Sequence, residues 1–328
     1  MRVLVVGGAG YIGSHTVQAL NGLGHEVWVF DNLLAGHKSA VPEGSLIEGD
    51  LADLATLENV LKRHEIEAVM HFAAHASVPE SMAEPAKYYR NNIVGTLNLL
   101  DAMRAAGTRK IVFSSTAAVY GLPEHSPISE ETPKAPINPY GFTKLVIERT
   151  LADYAHAYGL GYAVLRYFNA SGASADASIG EDHSPESHLI PIILQVALGQ
   201  RENISITGTD YPTPDGSCIR DFIHVEDLAD AHCRVLDRIE PGKGLTYNVG
   251  TGRGYSVREV VEAARKVTGR PIEAVERPRR AGDPPELVAS ADALRRDLGW
   301  SPRYPEIEAI VATAWRWHLS HPNGYGDR

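Results

Sequence analysis

A strand, a glycine turn and a helix start follow one another within the first sixteen residues, and that succession restricts the possible folds more than any other feature of the chain. The apolar run Val3-Leu4-Val5-Val6 reads as a buried strand. Gly7-Gly8-Ala9-Gly10-Tyr11-Ile12-Gly13 then leads into a helical segment, Tyr11 to Leu23. Gly7 suits the tight turn, Gly10 lets a phosphate approach the backbone, and Gly13 lets helix and strand pack closely. A glycine triplet alone is weak, because turns use glycine for many reasons. The context narrows it: a second strand, His25 to Phe30, ends in Asp31, a carboxylate placed to accept hydrogen bonds from both hydroxyls of an adenosine ribose. Its charge would repel a 2′-phosphate, so the pattern predicts NAD rather than NADP.

Apolar runs and amphipathic stretches alternate through the first half. Ala68 to Ala74, Lys110 to Ser115 and Tyr162 to Phe168 read as buried strands. Asn91 to Ala106 reads as a helix with Ile93, Leu97 and Leu100 on one side. This alternation predicts an α/β fold, a doubly wound parallel Rossmann sheet covered on both faces. Past Asn169 the texture changes. Ala170 to Pro191 is small and polar, and Gly208 to Ser217 is rich in Pro, Gly, Asp and Thr, as functional loops are. Short strands are expected near Ile204 to Thr207 and Tyr247 to Val249, and helices at Ser256 to Thr268 and Ile307 to Leu319. The 328 residues suit two modest domains. Residues 1–169 are expected to form an NAD-binding Rossmann domain, with segments near 220–250 packing back onto it. Residues 170–328 are expected to form a smaller, loop-rich C-terminal α/β domain.

Composition removes several classes of function. The balance of 31 basic and 41 acidic residues gives −10, with no basic run to track a nucleic-acid backbone. No apolar run approaches the ~20 residues that span a bilayer. Neither a nucleic-acid nor a membrane partner is therefore expected. The chain starts at once with a strand, leaving no room for a signal peptide, and it carries 2 cysteines, Cys218 and Cys233. Both features point to a cytoplasmic protein with reduced thiols. The 14 histidines are scattered, and His64-Glu65 lacks the second histidine of a metalloprotease motif, so no metal site is expected.

Tyr140 and Lys144 stand four apart at the start of a predicted helix, Tyr140 to Tyr158, which puts both side chains on one face. A free phenol ionises near pH 10. A nearby ammonium and a nicotinamide cation would lower that value, and the tuned tyrosine could take a proton from a sugar hydroxyl as hydride leaves the same carbon. About one such pair is expected by chance at ordinary lysine usage, and this is the one that occurs. It follows Asn138-Pro139 and lies downstream of the nucleotide turn. Phe113-Ser114-Ser115-Thr116 ends a strand and could add a hydroxyl, or be simply a polar strand end.

These motifs, with Ala117-Ala118-Val119-Tyr120-Gly121 after the Ser-Ser-Thr, resemble the extended short-chain dehydrogenase/reductases. Further stretches are similar to the 4-epimerases of UDP-hexoses within that group. They are Leu165-Arg166-Tyr167-Phe168-Asn169, Gly208-Thr209-Asp210-Tyr211-Pro212-Thr213, Asp215-Gly216 with Arg220-Asp221-Phe222-Ile223-His224, Arg279-Arg280-Ala281-Gly282-Asp283, and Trp315-Arg316-Trp317-His318. The resemblance implies a tightly bound NAD cofactor, transient oxidation at carbon 4 of UDP-glucose or UDP-galactose, and hydride return to the other face. It makes Tyr140 the proton acceptor, Lys144 its tuner and Thr116 the hydroxyl that orients the sugar. Cofactor contacts fall on Gly7, Gly10, Tyr11, Ile12, Gly13, Asp31, Asn32, Asp50, Leu51, Phe72, Ala73, Asn91, Lys144 and Phe168. Substrate contacts fall on Thr116, Tyr140, Asn169, His188, Leu189, Ser205, Thr207, Arg220, Arg280, Asp283 and Leu287. By themselves Arg220 and Arg280 read as surface charges; in these motifs they suit a pyrophosphate.

Four positions depart from the pattern. Ala76 replaces a lysine, His188 an asparagine, Thr207 an aromatic residue and Phe222 a tyrosine. Leu287 stands where a tyrosine would fill the space beside the sugar, so it either leaves room for N-acetylated sugars or is ordinary core. Related dehydratases and decarboxylases need an acid directly after the Thr, where this chain has Ala117 and Ala118. Epimerisation of a UDP-pentose or UDP-uronate, or a non-catalytic NAD-binding role, are the alternatives. Apolar stripes of Ile147, Leu151, Tyr154, Ala155 and Tyr158, and of Phe142, Leu145 and Val146, give the Tyr140 helix two faces to bury. The resemblance implies a homodimer through such helices; simple burial within one chain is the other reading.

Overall fold

The computed structural model describes residues 1–280 and 283–327. Ala281 and Gly282, inside the Arg279–Asp283 motif, and Arg328 lie outside the described residues. The chain has the expected α/β architecture. Its main sheet holds seven strands among the described residues. Six are β1 (Arg2–Val6), β2 (Glu26–Asp31), β3 (Leu46–Glu48), β4 (Ala68–His71), β5 (Lys110–Thr116) and β6 (Gly161–Tyr167). The order across the sheet is Gly244–Val249, β6, β5, β4, β1, β2, β3. The pairs of β1 with β2 and β4, of β2 with β3, and of β4 with β5 are all parallel.

The chain leaves β1 towards β2 and β3, then returns to build β4 on β1's other side. The reversal creates a switch point at the carboxyl ends of β1 and β4, where open parallel sheets bind ligands. These ends are bonded together: Phe72 N–H and Ala73 N–H both donate to Val6 O, at 2.7 and 3.0 Å. β1 is fully buried from Val3 to Val6, as an all-apolar strand in a two-sided parallel sheet requires.

The chain divides into two compact units. The first comprises residues 1–122, 131–166 and 229–247; the second comprises 123–130, 167–228 and 248–328. In the first, Leu57, Leu61, Leu99, Leu100 and Met103 pack with Phe30, Phe113, Ile147 and Leu151 in one apolar cluster. In the second, the strand Ile219–His224 pairs with Asn169–Ser171, Gly254–Ser256 and Glu286–Leu287. A separate core gathers Ile190, Ile193, Leu194, Phe222, Val260, Ile310 and Trp315. Asp221, on this central strand, ties in the neighbouring loops: its carboxylate accepts from Thr251 N–H and hydroxyl, Gly252 N–H and Ala289 N–H at 2.7–3.2 Å. Among the described residues no helix is long and apolar enough to cross a membrane, and both cysteines are free and buried.

Candidate active site

In the first unit a cleft opens at the switch point. Gly7, Gly10, Asp31, Asn32, Asp50, Leu51, Phe72, Ala73 and Asn91, all sequence-predicted contacts, line it together. A side chain at Gly7 would strike Ala73 N at 2.4 Å, and one at Gly13 would strike Gly7 O at 2.2 Å, so the turn cannot be built with larger residues. Gly10 is less crowded, with Gly7 O at 3.4 Å as its nearest neighbour. No side chain among the described residues caps the helix Tyr11–Gly22, and no acidic residue stands in its first turn. Its amide dipoles therefore face outward, as an anion site needs. Tyr11, Ile12 and Gly13 open that helix.

Asp31 receives Ala9 N–H at 3.0 Å on one oxygen and Leu33 N–H at 2.9 Å on the other. A carboxylate has about four acceptor sites, so capacity for two ribose hydroxyls remains on oxygens already fixed in place. Burial raises its pKa against these amide bonds. Asn32 donates to Asp50 at 2.8 Å, joining the rim. Turn, dipole and carboxylate fit a dinucleotide. Leu34, Ala35, Gly36 and His75 also line the cleft, and nothing in the sequence marked them. Leu34, Ala35 and Gly36 follow Leu33, which turns the chain with a positive φ of 57°, whereas His75 follows the end of β4.

The helix Pro139–Tyr158 brings up the second group. Asn138 caps it by accepting Gly141 N–H at 2.8 Å, and proline occupies its first turn. At Gly141 a Cβ would meet Ala118 O at 2.6 Å, which lets the helix start press against the turn that follows Thr116. The Thr116 hydroxyl consequently lies near enough to Tyr140 to favour its phenolate, while it also accepts Ala118 N–H at 3.1 Å. Lys144 Nζ donates to Ser114 O at 2.8 Å and lies 6.0 Å from the Tyr140 ring centre.

The expectation has an ammonium and a nicotinamide cation together lowering the tyrosine, and burial within the chain acts the other way. Burial pushes Tyr140 up to about 12, with the Thr116 hydroxyl opposing it. Burial pushes Lys144 down to about 7, against the pull of the Glu148 carboxylate one turn on. Burial thus holds the phenol in its protonated form.

Behind them, Asn92 is fully buried within a π-turn, Tyr89–Val94. It accepts His75 N–H at 2.9 Å and donates to His75 O and Thr143 at 3.1 Å. Sequence periodicity favoured a plain helix here; the extra residue of the π-turn turns Asn92 inward. Asn91, beside it, faces the cleft.

In the second unit the sheet register sets Leu287 and Tyr255 opposite Arg220, and Phe222 opposite Asn169. Arg220 reaches Asp283 at 3.8 Å. Leu287, Phe168, Asn169 and Thr207 are half-buried, whereas Ser205 and Arg280 are exposed. Tyr211, 5% exposed, has a buried hydroxyl with no hydrogen-bond partner among the described residues. Arg279 lies 4.2 Å above its ring, and the charges of Asp283, Arg279 and Arg220 all reach it. Such a group calls for an external partner; sequence reading noted the motif but not this residue. His188 precedes the helix Leu189–Ala197 and sits 2.9 Å from Glu181 and 3.1 Å from Glu186.

A switch-point cleft beside a Tyr–Lys pair on a parallel sheet defines a dinucleotide-dependent enzyme of the Rossmann class. A family model described as "NAD dependent epimerase/dehydratase family" matches residues 3–250. A UDP-glucose 4-epimerase of Halalkalibacterium halodurans is 53% identical over 326 residues, covering 99% of this chain and 98% of that one. A crystal structure of a UDP-glucose 4-epimerase is similar with TM-score 0.96 and 51% identity over 99% of both chains. Another, from Brucella ovis in complex with NAD, gives TM-score 0.92 and 50% identity over 96% and 97% of the two chains. The chain belongs to the NAD dependent epimerase/dehydratase family.

Proposed function

We propose that this chain is a UDP-glucose 4-epimerase that interconverts UDP-glucose and UDP-galactose with NAD as a retained cofactor. The observation that carries this reading is the full-length likeness to enzymes of that name, joined to intact Tyr140, Lys144 and Thr116. When bound, NAD supplies a reversible hydride acceptor and a cationic ring close to Tyr140. Tyr140 takes the proton of the sugar 4-hydroxyl and returns it after the sugar has turned. Thr116 holds the phenolic oxygen and orients the sugar, while Lys144 grips the nicotinamide ribose and favours the phenolate. Gly7, Gly10 and the helix start cradle the pyrophosphate, and Asp31 binds the adenosine ribose. In the second unit Arg220, Arg280 and Asp283, with Asn169, His188, Leu189, Ser205 and Thr207, hold the nucleotide sugar. The Tyr211 hydroxyl is an added candidate for that group.

The test is conversion of UDP-galactose to UDP-glucose by purified protein without added oxidant. Denaturation should release NAD near one per chain, and a shortfall should be restored by adding NAD, because Ala76 stands where related enzymes carry a lysine that touches the cofactor. Release of NADP, or steady accumulation of NADH, would overturn the reading.

We also infer a cytoplasmic homodimer formed through the Pro139–Tyr158 helix. Ile147, Leu151 and Ala155 are consumed by the chain's own core, but Phe142 remains 45% exposed and meets Tyr89, itself 37% exposed, edge-on. Phe142→Glu should yield monomers by light scattering; an unchanged mass would remove this face from consideration.

A further inference from the structure

The polar stretch before the helix Leu189–Ala197 reads Glu181-Asp182-His183-Ser184-Pro185-Glu186-Ser187-His188. Its ligand spacing, Glu-x-His-x-x-Glu-x-His, matches neither a helical pair nor a zinc ribbon, and the sequence alone gave no reason to group these residues. In the fold the loop doubles back, and one ligand atom from each of Glu181, His183, Glu186 and His188 comes within 4.8 Å of all the others. The four imidazole-to-carboxylate separations are 2.9, 3.1, 3.4 and 3.6 Å, all from Nδ1. A tetrahedron with metal–ligand bonds of 2.0–2.1 Å has edges of about 3.3–3.4 Å. These separations straddle that value, with His183 and His188 meeting different Glu186 oxygens, and a bound metal would draw the set together from its present spread of up to 4.8 Å.

We propose that Glu181, His183, Glu186 and His188 form a binding site for a divalent transition-metal ion, zinc by preference, that closes this eight-residue loop. Two imidazoles and two carboxylates offer borderline nitrogen and hard oxygen donors with a combined charge of −2, which a dication neutralises. The carboxylates are already held: Glu181 is 5% exposed, and Glu186 accepts the N–H groups of Ser187 and His188 at 2.7 and 2.8 Å. The loop is also braced from outside. Tyr325 exchanges hydrogen bonds with Gly180 at 3.0 and 3.1 Å, and its N–H donates to Asp182 at 3.1 Å. The competing arrangement is a purely ionic quartet of the same four side chains, in which each Nδ1 faces both carboxylates. The site would be structural, fixing the backbone from which His188 and Leu189 project, and it stands whether or not the epimerase reading does.

The full chain, stripped with a chelator and dialysed, should take up one cobalt(II) per chain with the intense visible absorption of a four-coordinate site. One equivalent of zinc should bleach that absorption and raise the Tm. The double variant His183→Gln/His188→Gln should lose affinity by on the order of 100-fold or more, since changes even to outer-shell partners cost 10–100-fold. Wild-type chain that shows only the weak absorption of six-coordinate cobalt, or binds no more tightly than the double variant, would overturn the proposal. Should the double variant fail to fold, the wild-type cobalt spectrum and its stoichiometry decide alone.

Discussion

At the scale of single residues, the chemistry concentrates on Tyr140 and on what surrounds its oxygen. Tyr140→Phe removes the proton acceptor and keeps the ring, so NAD content and fold should be retained while kcat falls by roughly 10²-fold or more. Near-normal turnover would move the role elsewhere. Thr116→Ser should be mild and Thr116→Val severe, because only the hydroxyl reaches the phenol. Leu287 answers a separate question, that of sugar choice. It is half-buried rather than core, and its register partner is Arg220. We expect measurable activity on UDP-N-acetylglucosamine, and Leu287→Tyr should suppress it while sparing UDP-glucose. Equal loss on both substrates, or no N-acetyl activity in the wild type, would dismiss this position as the gate.

Among the elements, the Pro139–Tyr158 helix carries more than its catalytic face. Glu148, one turn beyond Lys144, forms a buried two-point pair with Arg166 at 2.6 and 3.0 Å and accepts the Ser115 hydroxyl at 2.6 Å. Arg166 donates further to the Tyr120 hydroxyl at 2.9 Å. The network thus locks the helix to β5 and β6 behind the site. Glu148→Ala leaves the guanidinium buried without its counter-charge, which should cost about 3–5 kcal/mol, measurable as a lower denaturation midpoint. Elements with a strong apolar rhythm were legible from sequence: β1, β5, β6 and the capped helix Val257–Thr268 all begin and end within two residues of expectation. β3 was not, because three residues with half-exposed side chains carry no periodic signal. The π-turn and the Glu181–His188 loop were missed for a related reason. Both depend on backbone departures that bring together side chains whose sequence spacing says nothing.

For the molecule as a whole, one buried titratable group should govern part of the acid response. His71 is fully enclosed beside Thr96, and burial first, then the Lys144 charge, lowers it to about 3. Between that value and 6.5 the unfolded chain binds a proton that the folded chain refuses. Stability is therefore complete above about pH 6.5 and falls as pH drops towards 3. His71→Gln keeps a hydrogen-bonding group and should flatten this loss by on the order of a few kcal/mol across that range. An unchanged dependence of unfolding free energy on pH would assign the acid response to other groups.

The contact between Gly141 and the Ala118 carbonyl has a consequence for how motion is shared. With the helix start seated against the turn after Thr116, the proton acceptor is held to one place beside a sugar ring. Inverting a centre requires that both faces of carbon 4 meet the same reactive groups. A stationary acceptor therefore leaves all of the turning to the sugar. The nucleotide must then anchor the substrate while the hexose swings. Variants that loosen the anchor should release half-finished keto-sugar into solution, a leak readable as trapped NADH in a protein that otherwise ends each cycle as it began.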